Sequence, residues 1–288
     1  MLSGLKNTPL FIWATIGLYD AYNKLSNFVK YEKTISKSIN DIISEIGVNG
    51  YSIAENIIPE DICNQLLVAH KKFGDITDTY YKNDRRTWGV HNISPAHNEY
   101  LKYLDDEVKV KYIGEKYCSS KICLSTLLAG RLGHNDESST GSGGGWHRDS
   151  YSQQFKSILY LTNVTERNGP FQYIKKSHLR SNIRKILTMR ALDHEGGRIT
   201  RYTEADIDLI LSKFDYTIKT CTGGIGTLIF ADTRGIHRGY PIENGERFSL
   251  TTYYTPKRVG VSDEILALND HTIKKFRNSK FMNNSNHL

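Results

Sequence analysis

The chain has 288 residues, 39% hydrophobic and 24% charged, close to the averages of soluble globular proteins, which excludes collagen, long coiled coils and wholesale disorder. A chain of this length can bury a large core, so the fold needs no disulfide or metal to persist, and one or two domains are allowed. Lys and Arg total 38 against 31 Asp and Glu; the resulting +7 permits an acidic partner without naming one.

In chain order, the apolar, uncharged run 9–19 is too short to span a bilayer, which takes about 20 residues, and it lacks the basic start and cleavage site of a signal peptide. It reads as a docking helix, with a membrane-surface contact as the alternative. Ile35, Ile39, Ile42, Ile43 and Ile46 recur at helical spacing, and Gly47 is a candidate stop. Residues 50–54 read as a short strand, and Pro59 opens a helix with Ile62, Leu66 and Leu67 on one face. From Lys121 the texture changes to strand-sized apolar runs at 122–129, 157–164, 227–231 and 248–254. Thr203 with Asp206 resembles a capping box ahead of Ile207, Ile210, Leu211 and Phe214. The tail 278–288 is Asn-rich and expected to be disordered.

Eighteen Tyr and only 6 Pro suit such strands. The fold class is therefore mainly β, a barrel or sandwich with flanking helices. The expected division is a helical extension over 1–49, a β domain over 50–260 and a C-terminal segment over 261–288. Cys63, Cys118, Cys123 and Cys221 form no CxxC pair, so reduced structural thiols and a cytoplasmic setting are expected.

The most informative stretch is Gly143-Gly144-Gly145-Trp146-His147-Arg148-Asp149-Ser150. Residues two apart on a strand face the same side, so His147 and Asp149 can bind one ion. Two His and one carboxylate on one face of an octahedral iron leave the other positions open for substrates and dioxygen. His237, after the strand-like run ending at Ala231, is the candidate third ligand. His134-Asn135-Asp136 repeats the pattern but sits in a polar, Gly/Ser-rich segment, whereas His147 leads into an apolar strand that can anchor it.

Arg247 follows the turn Glu243-Asn244-Gly245-Glu246, and a fixed guanidinium suits bidentate capture of a carboxylate. Register decides its direction. If His237 and Arg247 lay on the two arms of a hairpin, a two-residue loop would set Thr252 opposite His237, facing away from Arg247's side. A three-residue loop, 244–246, would place Arg247, Ser249, Thr251 and Tyr253 on one inward face.

Taken together, these residues resemble the phytanoyl-CoA dioxygenase family of iron(II)- and 2-oxoglutarate-dependent oxygenases. The resemblance runs from about Gly50 to Pro256: Gly50-Tyr51 with Pro59, the His147-Arg148-Asp149 motif, Asn168-Gly169-Pro170-Phe171-Gln172 up to Ser177-His178, and 223–230 leading to His237 and Arg247. It implies a double-stranded β-helix (jelly-roll) core, with Fe(2+) held by His147, Asp149 and His237. It also implies that Arg247, helped by Ser249, grips 2-oxoglutarate, and that ascorbate supports activity. The implied reaction is hydroxylation of a small molecule by dioxygen with release of succinate and CO2. The Asp149 carboxylate favours that outcome over halogenation, for which related enzymes carry a small residue at this position. Where family members often have Pro-Gly before Ser-His, this chain has Lys175-Lys176.

Candidates for lining the substrate site are Arg131, Trp146, Gln172 and Tyr160; Arg148, between two inward ligands, should point away. The Gly/Ser loop 138–145 lacks the Gly-Lys-Ser/Thr ending of a phosphate loop and reads better as a lid. The cluster Lys175, Lys176, Arg180, Arg184, Lys185 and Arg190 is either a solvated helix face or a landing site for an anionic substrate. Two other readings stay open: a non-catalytic jelly-roll binding protein, and a nucleic-acid demethylase. The second is disfavoured because no second Arg follows Arg247 on its strand, and no nucleic-acid partner is expected.

Overall fold

The computed structural model describes residues 37–74, 86–90, 95–133, 145–193 and 200–256. In chain order these form α1 (Lys37–Asn49), β1 (Tyr51–Ala54), α2 (Glu60–Gly74), β2 (Arg86–Val90), α3 (Pro95–Asp106), α4 (Val110–Cys118), β3 (Ile122–Gly133), β4 (Phe155–Tyr160), β5 (Phe171–Ile174), α5 (Arg180–Asp193), α6 (Glu204–Lys213), β6 (Ile218–Cys221), β7 (Leu228–Ala231), β8 (His237–Gly239) and β9 (Glu246–Pro256). The readings of the run 9–19, of His134-Asn135-Asp136, of residues 138–144 and of the tail 278–288 lie outside the described residues.

The strands make two antiparallel sheets, a major one in the order β1-β7-β4-β9-β3-β2 and a minor one in the order β6-β5-β8. Strand alternation gives each sheet two faces. On the major sheet, Phe155, Leu159, Leu228, Phe230, Phe248, Leu250 and Tyr254 face outward and bury against Ile42 and Ile46 of α1, Cys63 and Leu66 of α2, Tyr100 and Leu104 of α3, and Val110 and Ile113 of α4. Each such fully buried side chain contributes about 1.5–3 kcal/mol. Packing is close enough that a Cβ on Gly114 of α4 would lie 2.6 Å from the Phe155 ring.

The opposite face of the major sheet looks into the fold. Tyr51, Ile158, Tyr160, Ile229 and Ala231 there meet Phe171, Tyr173 and Cys221 of the minor sheet. A third cluster covers the far side of the minor sheet, where Ile174 packs with Ile186 and Met189 of α5, Ile207 and Ile210 of α6, Tyr202 and Trp146. The result is a jelly-roll core, as the family resemblance implies, with helices outside it, as the β-rich texture predicts.

Several elements differ in detail from the sequence reading. α1 runs through Gly47 and stops at Gly50, whose φ of +93° ends the helix while its N–H donates to the Ile46 carbonyl at 2.8 Å. The strand expected over 157–164 ends at Tyr160, and Val164 makes only an isolated bridge to Gly223. β5, β6 and β8, three or four residues long, have no counterpart in the sequence reading. The Thr203 capping box is present, with Thr203 N–H donating to Asp206 Oδ2 at 2.8 Å and Asp206 N–H to Thr203 Oγ1 at 3.1 Å. Cys63, Cys118 and Cys221 are buried and unpaired with one another.

The Lys175-Lys176 departure has a backbone consequence. Lys176 sits at φ +63°, in the left-handed region that favours glycine. Its N–H donates to the Asn49 carbonyl at 3.0 Å and its carbonyl accepts from Leu179 at 3.0 Å, so the surrounding chain enforces the turn. Lys176→Gly should therefore be tolerated, with stability unchanged or up to about 1 kcal/mol higher. Lys176→Val should cost about 1–3 kcal/mol, because a β-branched residue is strained there. Denaturant titration of the two variants checks this, and equal stabilities would argue against an enforced turn.

Candidate functional site

β8 lies at the edge of the minor sheet, and the segment 145–149 extends that edge. His147 and His237 exchange both backbone hydrogen bonds at 2.9 Å, so sheet pairing sets the two imidazoles side by side, with ring centroids 4.3 Å apart. Two residues on, Asp149 N–H donates to the Thr233 carbonyl at 3.1 Å. This directs the carboxylate between the sheets, with Oδ1 3.5 Å from His147 Nε2 and 3.7 Å from His237 Nε2.

The histidine tautomers follow from their neighbours. His147 Nδ1 lies 2.8 Å from the Gly145 carbonyl, and His237 Nδ1 lies 2.9 Å from the Gly235 carbonyl. A carbonyl only accepts, so Nδ1 carries a hydrogen in both rings, and Nε2 is the atom each turns toward Asp149. Burial, reinforced by His147, holds His237 well below the usual histidine range despite the opposing pull of Asp149, so it is neutral. Burial alone would push the Asp149 carboxyl up. The Lys156 ammonium outweighs it and holds the group well below its usual range. The three donor atoms lie within 4.8 Å of one another. Two imidazole nitrogens and an ionised oxygen, all turned to one point, form a donor set suited to a divalent transition metal.

The two histidines are held by loops anchored deep in the core. Ser177 Oγ accepts from Ile236 N–H at 2.8 Å and donates to the Ile174 carbonyl at 2.7 Å. Asp232, fully buried, takes two bonds from Arg234 Nε at 3.2 and 3.0 Å, one from its Nη2 at 2.7 Å and one from Tyr117 Oη at 2.6 Å. Arg148 points away from the triad, as strand alternation requires, but into protein rather than solvent. Its guanidinium donates to Tyr202 Oη at 2.8 Å and to the carbonyls of Ser177 and Arg234, tying three site loops together. Sequence reasoning did not find the roles of Asp232, Arg234 and Lys156. A charged pair, Asp232 and Arg234, sitting between an apolar strand and a candidate ligand was the available signal for the first two.

Arg247 is buried on β9, and its guanidinium donates to the Gly169 carbonyl. The expected hairpin is absent: β8 belongs to the minor sheet, while β9 pairs with β3 and β4 in the major one. The inward face is nevertheless as expected. Ser249, Thr251 and Tyr253 pair with Tyr160, Ile158 and Lys156, so Arg247 shares one interior face with them.

The four lining candidates fare differently. Arg131 pairs across from Phe248, stacks 5.6 Å above that ring and bonds Glu246 at 2.9 Å, so it lies on the outer face, away from Arg247. Trp146 is buried in the third cluster, with Arg238 4.2 Å over its ring and Nε1 donating to Glu204 at 3.3 Å. Gln172 turns to the same outer side of the minor sheet, accepting from Arg238 Nε at 2.8 Å and donating to Thr220 Oγ1 at 3.0 Å. Tyr160 alone faces the interior, where its hydroxyl donates to the Cys221 carbonyl at 2.9 Å and accepts from Phe171 N–H at 3.0 Å. In the basic cluster, Arg190 lies 4.5 Å over the Tyr202 ring and 3.5 Å from Asp206, while Arg184 and Lys185 are exposed. Among the described residues no helix is long and apolar enough to cross a membrane.

No protein-family model matches the chain, and no curated protein matches its sequence. Solved structures do match. EctD from S. alaskensis superposes with a TM-score of 0.55 at 17% identity, covering 81% of this chain and 82% of that one. SnoN, an epimerase solved with Fe3+, alpha-ketoglutarate and nogalamycin RO, gives 0.54 at 12% identity over 76% and 84%. HygX from Streptomyces hygroscopicus, solved with nickel and 2-oxoglutarate, gives 0.53 at 14% identity over 78% and 88%. These neighbours bind iron, nickel or 2-oxoglutarate. At such identities the likeness establishes a common jelly-roll fold for this chain.

Proposed function

We propose that this chain is an iron(II)- and 2-oxoglutarate-dependent dioxygenase of the phytanoyl-CoA dioxygenase type, hydroxylating a small-molecule substrate. The observation that carries the reading is the convergence of two Nδ1-anchored imidazoles and one oxygen of Asp149. His147, Asp149 and His237 would hold the iron, which supplies a site for 2-oxoglutarate and dioxygen and the oxidising power drawn from decarboxylation to succinate. Arg247, on the interior face with Ser249 beside it, is the residue for the distal carboxylate of 2-oxoglutarate. The Gly169 carbonyl keeps its guanidinium from swinging, and Tyr160, bonded at both ends, walls the same face. Leu250 and Phe248, on the other face of β9, fix that strand to the helices. The domain division at residues 50 and 260 and a cytoplasmic setting, in keeping with buried cysteines that form no disulfide with one another, belong to the same reading.

The test needs no knowledge of the primary substrate. Aerobic protein with iron(II), ascorbate and 2-oxoglutarate should form succinate slowly, and a chelator such as EDTA should bring that to background. Wild-type protein that forms no succinate and binds no 2-oxoglutarate in the presence of a divalent metal would overturn the assignment.

A further inference from the structure

The two oxygens of Asp149 face different partners. Oδ1 turns to the Nε2 atoms of His147 and His237, while Oδ2 lies 2.5 Å from the ammonium of Lys156. Lys156 is the second residue of β4, between Ala231 of β7 and Tyr253 of β9, and its side chain is 7% exposed. Its Nζ also sits 4.4 Å over the Tyr253 ring. A lysine so deeply buried costs several kcal/mol unless a counter-charge and an aromatic face compensate it. Here both are supplied, and the counter-charge is the carboxylate of the triad.

The consequence is one of coordination arithmetic, and it rests on the function proposed above. An octahedral ion offers six positions. A one-oxygen carboxylate and two imidazoles take three, leaving two for a chelating 2-oxo acid and one for dioxygen. If both oxygens of Asp149 turned to the ion, the protein would take four, and those two small molecules would compete for what is left. Carboxylates bind either way when nothing restrains them. We infer that Lys156 is a positioning residue that holds Asp149 to one-oxygen coordination, keeping a metal position open for the co-substrate. Tyr253 serves the same end by fixing the ammonium from behind. No other cation among the described residues is paired with Asp149.

Lys156→Met separates this role from a merely structural one. Removing the ammonium removes a like charge beside the ion and frees Oδ2 as a fourth donor, so cobalt(II) should bind tighter by at least about tenfold. Binding of 2-oxoglutarate to the cobalt-loaded protein under nitrogen, measured by equilibrium dialysis, should weaken by at least about tenfold. The opposite directions of the two changes are the signature. Lys156→Gln, whose side chain is one bond shorter and uncharged, should shift both in the same senses, and serves if Lys156→Met does not fold. Parallel weakening of cobalt and 2-oxoglutarate, or no change in either, would overturn the inference while leaving the functional assignment standing. Wild-type protein that takes up no more cobalt than His237→Ala would overturn both.

Discussion

Gly235→Ala is expected to weaken divalent-metal binding by about 10- to 100-fold and to destabilise the apoprotein by about 1–3 kcal/mol, although the substitution adds one methyl group and touches no ligand. Gly235 lies between Asp232, whose carbonyl accepts its N–H at 3.0 Å, and His237, whose Nδ1 donates to its carbonyl at 2.9 Å. A Cβ at this position would overlap the Tyr173 hydroxyl and the ring carbon bearing it, with Cε1 2.8 Å away. Tyr173 cannot withdraw. It is fully buried, its hydroxyl donates to the Asp232 carbonyl at 2.7 Å, and its ring lies between Tyr51 at 5.6 Å and His237 at 6.4 Å. The backbone must shift instead, carrying with it the carbonyl that orients His237. Gly145 provides the contrast, because its carbonyl orients His147 yet nothing lies within 4 Å of its hypothetical Cβ. Gly145→Ala is strained only by its φ of +84° and should lose less metal affinity. Tyr173→Phe in the Gly235→Ala background should restore part of the affinity by relieving the overlap. Cobalt titration of the three proteins, with melting curves, decides the matter; wild-type affinity in Gly235→Ala would mean that the carbonyl does not set the His237 ring.

What the chain discloses before folding is uneven for a physical reason. His147 and Asp149 are readable because a strand period of two is local, and the triad's third member because few histidines follow an apolar run. Arg247 is readable in its direction but not in its cause. The hairpin logic assigned β8 and β9 to one sheet, whereas they belong to two, and strand alternation along β9 alone was sufficient to place Arg247, Ser249, Thr251 and Tyr253 together. Arg131, Trp146 and Gln172 do not share the interior face of Arg247, because nearness in sequence to a ligand says nothing about which face of a sheet a side chain takes. Lys156 was invisible for the opposite reason. A lysine inside an apolar strand is ordinarily a surface residue on an edge, and only the fold brings its ammonium to Asp149.

Asp232→Asn is expected to cost about 3–5 kcal/mol, because it leaves the Arg234 guanidinium, 9% exposed, without its counter-charge. The carboxylate is the hub of the loop that delivers His237. It accepts from Arg234 Nε and Nη2, from the Arg234 N–H at 2.9 Å and from Tyr117 Oη on α4, and no water can replace those bonds in a fully buried position. The same geometry fixes how wild-type stability depends on pH. Burial opposes ionisation of Asp232, but Arg234, His178 and Tyr117 outweigh it and hold the carboxyl below its usual range. A group depressed in the folded state contributes stability that is present above its unfolded value, about 3.9, and is lost as pH falls through the folded one. His178 adds a second limb in the same direction. Burial lowers it below the usual histidine range while its Nε2 lies 3.2 Å from the Gly47 carbonyl, so the unfolded chain takes up the proton first and stability declines as pH drops below about 6.5. Wild-type apoprotein in a chelating buffer should therefore lose stability in two stages, one beginning near pH 6.5 and a steeper one below about pH 4. Asp232→Asn should keep the first and abolish the contribution of this residue to the second, so the two proteins converge in acid. Denaturant titrations from neutral pH down to pH 3 measure both curves. A constant gap between them across that range would mean that the Asp232 charge is not what holds the His237 loop in place.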